Sequence, residues 1–143
     1  MPALVFLVLL SCGGASSLEE INLHTVTLPD GSKIKSEVMM RPEDMARGMM
    51  FRDSLAADRG MLFIHTQSGL YPYWMFQCKI ALDIMWMDEN KRIVEISPNT
   101  PPCPGPEATC PNYGGKVPSR YVLELAAGSA ARHKLKVGDK IDF

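Results

Sequence analysis

Residues 82–88, Leu-Asp-Ile-Met-Trp-Met-Asp, constrain the fold more than any other stretch of the chain. Successive side chains of a β-strand point to opposite faces. Leu82, Ile84 and Trp86 would share one face, and Met85 and Met87 would share the other with Asp83. Both faces are mostly apolar, whereas a strand with one wet face alternates apolar and polar residues. The segment therefore predicts a central strand.

Short β-rich runs recur around it. Residues 21–28 alternate, Pro29-Asp30-Gly31-Ser32 supplies a hairpin turn, and residues 33–40 form the return strand. Further strands are expected at 60–65, 73–76, 91–97 and 120–126, with a closing strand at 137–143. Two short helices interrupt them. One is expected at 42–48, with Pro42 suited to a first turn, Glu43 and Asp44 at its positive end and Gly48 to stop it. The other, at 128–135, would be capped by Ser129. Many short strands with turns between them give a mainly β fold, a sandwich or a jelly-roll-like barrel of short strands with one or two short helices.

The chain has 143 residues, 46% hydrophobic and 22% charged, enough for one core but not two domains. A net charge of −1 argues against nucleic acid as a partner, because phosphate binding needs clustered Lys and Arg. Residues 1–17 stand apart from the domain of residues 18–143. The apolar run Ala3–Leu10 is too short for a permanent membrane span and fits the core of an export signal. Leu9-Leu10-Ser11-Cys12 resembles a bacterial lipobox, in which Cys12 becomes the lipidated first residue, and residues 13–17 read as a flexible tether. The expectation is an exported, periplasm-facing lipoprotein held to a membrane, such as the outer membrane, by its N-terminal anchor. Export implies oxidising surroundings. Cys103 and Cys110, in a Pro- and Gly-rich loop, then read as a disulfide that stabilises by roughly 2–3 kcal/mol in the chain-entropy model. A two-Cys metal site is the rival, but the loop holds no His. Cys78 is left unpaired and is expected to be buried.

Methionine poses a question of its own. Met45, Met49, Met50 and Met61 crowd one stretch, and Met85-Trp86-Met87 has the spacing of a soft-metal motif. Their neighbours Leu62, Phe63, Trp74 and Phe76 favour a core in which Met fills irregular gaps between aromatic rings. Soft-metal handling, copper above all, through Met, Cys and His is the alternative. His24, His65 and His133 are scattered, without ligand spacing, so no metal site and no cofactor is assigned.

The segments ARGMMFRDSL, GMLFIH, YWMF, LDIMWMD, RIVEI and YVLELAAG…GDKI occur in an order that resembles a bacterial and archaeal family, the domain-of-unknown-function family numbered 192. The resemblance runs from about residue 22 to the C-terminus and implies a mainly β, sandwich-like fold, with no established activity. The usual Lys-Asn-Thr after Trp-Met reads Phe76-Gln77-Cys78 here, and Ala81 replaces the usual Pro before Leu-Asp.

The charged residues next to apolar strands are the remaining candidates. Isolated buried charges are costly, so Arg52 is expected to bridge to Asp83 or to Glu124. In a binding reading, Arg52, Trp74, Asp83 and Glu124 line a cleft roofed by Trp74 and Tyr73, with Arg52 meeting an anionic group. A small hydrolase using Asp83 and Glu124 as a carboxylate pair is a further alternative. There is no Ser-His-Asp elbow, phosphate loop or zinc signature, and no catalytic residue is assigned. The favoured reading is an exported, lipid-anchored binding or accessory module.

Overall fold

The computed structural model describes residues 23–143. The expected export signal, the lipidation expected at Cys12 and the expected tether lie outside the described residues. The elements are β1 (Leu23–Thr27), β2 (Lys33–Met39), α1 (Pro42–Arg47), β3 (Arg59–Gly69), β4 (Tyr73–Trp74), β5 (Leu82–Met87), β6 (Ile93–Thr100), β7 (Asn112–Tyr113), β8 (Ser119–Ala126) and α2 (Ser129–Arg132). Six strands form one sheet in the order β1-β2-β3-β8-β5-β6, and β4 and β7 form a separate two-stranded ribbon. β2 and β3 run parallel, joined by the crossover that contains α1, and the other neighbours in the sheet are antiparallel. The fold is mainly β and sandwich-like, and the main sheet is open, with β1 and β6 at its edges.

β5 lies between β8 and β6, and all six of its residues are buried. Its two apolar faces belong to two distinct cores. Met85 and Met87 pack with Ile34, Leu62, Leu123 and Ile141 on one side of the sheet. Ile84 and Trp86 pack with Met61, Phe63, Met75 and Val122 on the other. Burying one such side chain contributes about 1.5–3 kcal/mol, so the three middle strands carry most of the hydrophobic stabilisation. Trp86 also donates its indole N–H to the Tyr71 carbonyl at 2.8 Å. Gly114 (φ +58°) fits beneath its ring, where a Cβ would come within 2.4 Å of Trp86 Cζ2.

Asp83 is completely buried on the Met85 and Met87 side. Its carboxylate accepts the backbone N–H of Asn99 and that of Ala130, each at 2.7 Å. One side chain thus ties the end of β6 and the first turn of α2 to the central strand. Ser129 makes no capping bond, and the residue before the helix is Gly128 with φ +87°. The cap on α2 comes from Asp83, 47 residues earlier in the chain.

Other expectations also change. Residues 137–143 form no strand; they make isolated bridges, Arg92 with Lys140 and Thr27 with Asp142. Gly138 takes φ +95° within a turn in which Asp139 bonds back to Lys136, which breaks an extended run. The strand expected at 73–76 stops at Trp74, because the Cys78 N–H turns back to the Met75 carbonyl and Gln77 adopts φ +56°. β3 runs four residues beyond the expected end at His65. Cys103 and Cys110 are bridged, and Cys78 is free and buried, both as expected.

Replacing Asp83 by Ala should leave two buried N–H groups without an acceptor. A loss of about 3 kcal/mol or more is expected, since hydrogen bonds to a charged group contribute about 1.5–3 kcal/mol each. Thermal unfolding followed by circular dichroism should show Tm falling by roughly 10 °C. A change within a degree or two would mean that Asp83 is not a tie between these elements.

Candidate functional site

On the Trp86 side of the sheet, α1 and the turns after it close over the central strands. The Gly48 N–H bonds the Asp44 carbonyl, Met50 N–H bonds Arg47, and Arg52 N–H bonds Met49. These tight turns bring Met45, Met49 and Met50 together above Phe63. The opposite wall is the segment after β4. The Gln77 N–H bonds the Cys103 carbonyl and the Cys103 N–H bonds the Met75 carbonyl, so the disulfide loop braces the wall that carries Phe76 and Cys78. The two walls are clasped where the Phe51 N–H donates to the Gln77 carbonyl at 2.9 Å. Both residues have positive φ, 65° and 56°, and Phe51 is exposed. Left-handed backbone at a bulky residue is strained, and such strain tends to collect at functional sites.

Between these walls is a cavity of about 30 Å³, lined by Met45, Met49 and Met50, by Phe63, Tyr73, Trp74 and Phe76, and by Cys78 and Glu124. Glu124 projects from β8, in the middle of the sheet. It is 4% exposed, and its Oε2 is buried without a hydrogen-bond partner. Burial pushes its carboxyl up to about 8, and the charge of Arg52 pulls it back only in part. The Cys78 thiol is pushed up to about 11, by burial first and then by Glu124. Burial and the nearby Glu124 also hold the Tyr73 phenol well above its ordinary range. The Tyr73 hydroxyl lies 3.1 Å from His65 Nε2, and His65 stacks on Tyr71 at 3.6 Å between centroids. Burial lowers the His65 pKa. At neutral pH the site is thus an apolar, sulfur-rich pocket around a mostly protonated acid.

A larger groove of about 710 Å³ runs outside β2 and α1, with Arg41, Arg52 and Arg59 facing Glu37 and Asp44. Four of these five charged side chains are paired with one another. Arg52 makes a two-pronged bridge to Glu37 at 2.5 and 2.8 Å, and Arg41 pairs with Asp44 at 2.6 Å. The Arg52 bridge holds the Glu37 carboxyl below its usual range. The groove is therefore a surface of internal ion pairs, whereas the small cavity holds an acid with no internal answer.

The family model described as Uncharacterized ACR, domain of unknown function 192, matches residues 25–143. The chain belongs to this family. No curated protein matches it. Two solved structures are similar. One is a protein of unknown function from Novosphingobium aromaticivorans DSM 12444, 28% identical, with TM-score 0.75 over 92% of this chain and 100% of that one. The other, from Sinorhizobium meliloti 1021, is provisionally described as a transcription regulator; it is 27% identical, with TM-score 0.71 over 82% of this chain and 89% of that one.

Of the four residues predicted to bind, Trp74 and Glu124 line the cavity. Arg52 sits close enough for its charge to act on Glu124, but its guanidinium pairs with Glu37, not with Asp83 or Glu124. Asp83 is on the far side of the sheet. In the β5–β8 register, Asp83 faces Leu125 and Ile84 faces Glu124, so the two carboxyls point away from each other. The pair needed for glycoside hydrolysis does not exist, since both carboxyls must flank one bond. Met85 and Met87 are fully buried in the other core. Among the described residues no group of three or more His, Cys, Asp or Glu side chains is placed to hold a metal. Sequence reasoning missed Met45, Met50 and Cys78 as the lining of one cavity, because their convergence depends on the crossover and the disulfide loop.

Glu124 gives the fold a pH dependence of definite sign. Its pKa is about 8 folded and ordinary for a carboxyl, 4.5, unfolded. The folded state therefore holds a proton that the unfolded state has lost between these values. Its contribution is complete below the unfolded pKa and is lost as pH rises through the folded one, by roughly 1.4 kcal/mol per pH unit. Denaturant melts from pH 5 to 8 should show wild-type stability declining relative to Glu124→Gln, whose neutral amide does not titrate. Parallel curves for the two proteins would mean that Glu124 is ionised or solvated in the folded state.

Proposed function

We propose that this chain is an exported, lipid-anchored binding module whose ligand enters the cavity over Glu124. The observation that carries this reading is the buried Glu124 oxygen with no partner, facing a cavity walled by aromatic rings. A carboxyl in such a place lowers stability, and an apolar residue of similar size would serve the fold better. A group kept at that cost is supported by a role outside folding. The net charge of −1 favours no duplex nucleic acid as ligand, so the description given to the Sinorhizobium protein is not carried over. Anchoring rests on Leu9-Leu10-Ser11-Cys12; no helix among the described residues is long and apolar enough to cross a membrane.

Two measurements test the two halves. Intact-mass analysis of protein from the membrane fraction should show a diacyl or triacyl addition on Cys12, and Cys12→Ala should remove it and release or strand the precursor. Unmodified wild-type protein would refute the anchor. Native mass spectrometry of protein gently extracted from its own cells should show a bound species that Glu124→Leu loses, while Glu124→Leu melts at the same or a higher temperature. A variant that melts lower, with no bound species in the wild type, would make Glu124 a structural residue and end the binding reading.

A further inference from the structure

The cavity over Glu124 is unusual in what it is made of. Met45, Met49 and Met50 come from one wall and Cys78 from the other, so four sulfur-bearing side chains meet around about 30 Å³. That is space for about one or two water-sized bodies, too little for a sugar, a nucleotide or a peptide side chain of any length. An anion would meet the negative faces of aromatic rings, which repel it. A purely apolar group would leave the lone pairs of four sulfur atoms unused. Zinc wants three or four ligands from Cys, His and carboxylate, and only Cys78 and Glu124 of that class line the cavity. Calcium and magnesium want six or more oxygens. What fits is one small, soft, singly charged cation, because thioethers and thiolate are soft donors that bind it without a large charge of their own.

We propose that the cavity is a binding site for one soft monovalent metal ion of the copper(I) class, held by the Cys78 sulfur and the thioethers of Met45, Met49 and Met50. This rests on the reading of the cavity as a ligand site and names its ligand. As the metal–sulfur bond forms, the Cys78 S–H bond breaks and its proton passes to solvent; the thioethers donate lone pairs and release nothing. No electron moves, and the ion arrives already reduced. Oxygen is a hard donor, so the protonated Glu124 is no ligand here, and the Cys78 thiolate offsets the charge of the ion. The rings of Tyr73, Trp74 and Phe76 add cation–π attraction and keep water out. Two positive charges lie near the site: Arg52 is paired with Glu37, and Arg47, which lines the cavity, is exposed, so that water screens its charge. The Cys103–Cys110 bridge sets the position of the Cys78 wall but leaves Cys78 itself free.

The test uses the full-length protein in detergent, without oxygen, titrated with copper(I) bicinchoninate. One equivalent should transfer, and X-ray absorption should show a shell of sulfur neighbours. Cys78→Ser should abolish stoichiometric transfer. Met45→Leu with Met50→Leu should weaken it by at least roughly 10–100-fold, the cost of losing even groups that only support metal ligands. Met85→Leu with Met87→Leu, in the opposite core, should bind like wild type. Silver(I), which needs no reductant, should behave as copper(I) does. No transfer to the wild type, or equal transfer to a folded Cys78→Ser protein, overturns the proposal. If copper(I) fails while native mass spectrometry still finds a bound species dependent on Glu124, the ion is wrong and the binding module stands. If both fail, the cavity is not a ligand site.

Discussion

The two-sided burial of β5 and β8 is the constraint on which the rest of the molecule depends. A strand with apolar side chains on both faces needs a layer on each. On one side that layer is the chain from α2 to the C-terminus, which delivers Ala130, Leu135 and Ile141 against Val26 and Ile34 from the same face of the β1–β2 hairpin. On the other it is the α1 crossover and the β4–β7 ribbon, with Met49, Met75 and the partly buried Tyr73 and Tyr113. The second layer is built from tight turns and a disulfide-braced loop, elements that do not fill space as evenly as a sheet does. A small cavity remains there, and it remains over Glu124.

Each of the two middle strands also carries one acid, and the contrast between the two explains their roles. Asp83 is buried, but two backbone N–H groups saturate it, so its carboxylate serves the fold. Glu124 lies one strand away with Oε2 unanswered. The same low-polarity surroundings that strengthen the bonds of Asp83 raise the pKa of Glu124. Residue type and burial alone would class them together. The number of donors that reach each one separates them.

This is also where the sequence stops being legible. The central position of β5 follows from residues 82–87 because period-two alternation is a local property, and so do the first hairpin, α1 and the mainly β class. The Cys103–Cys110 bridge was legible because its ends are close in the chain. The partners of Arg52 and Asp83 were not, since Glu37, Asn99 and Ala130 come near only through strand order, which no local pattern encodes. Side-chain parity was in fact available: Asp83 falls on the face of Met85 and Met87, while Glu124 alternates with Leu123 and Leu125. Whether the two acids share a side depends on the register of β5 against β8, and a shift of one residue would reverse the answer. The late strand expected at 137–143 failed for a different reason: Gly138 at φ +95° turns the chain, and a local turn outweighed the strand propensity around it.

Methionine illustrates how position, not composition, decides use. Met85, Met87 and Met61 in the middle of the sheet, and Met75 packed against it, are fully buried and fill gaps between branched and aromatic side chains. At the edge of the second layer the same residue type meets a void and not a neighbour, because Met45 and Met50 sit on a short helix and its exit turn and are only partly buried. A flexible side chain beside unfilled space could fold inward and close it, and a core under no other demand would be expected to do so. The floor of this cavity is a carboxyl whose Oε2 is already buried without a partner, and a thioether laid over it would supply no hydrogen bond. The sulfurs are thus left beside an acid that they cannot satisfy and around a space that they do not fill.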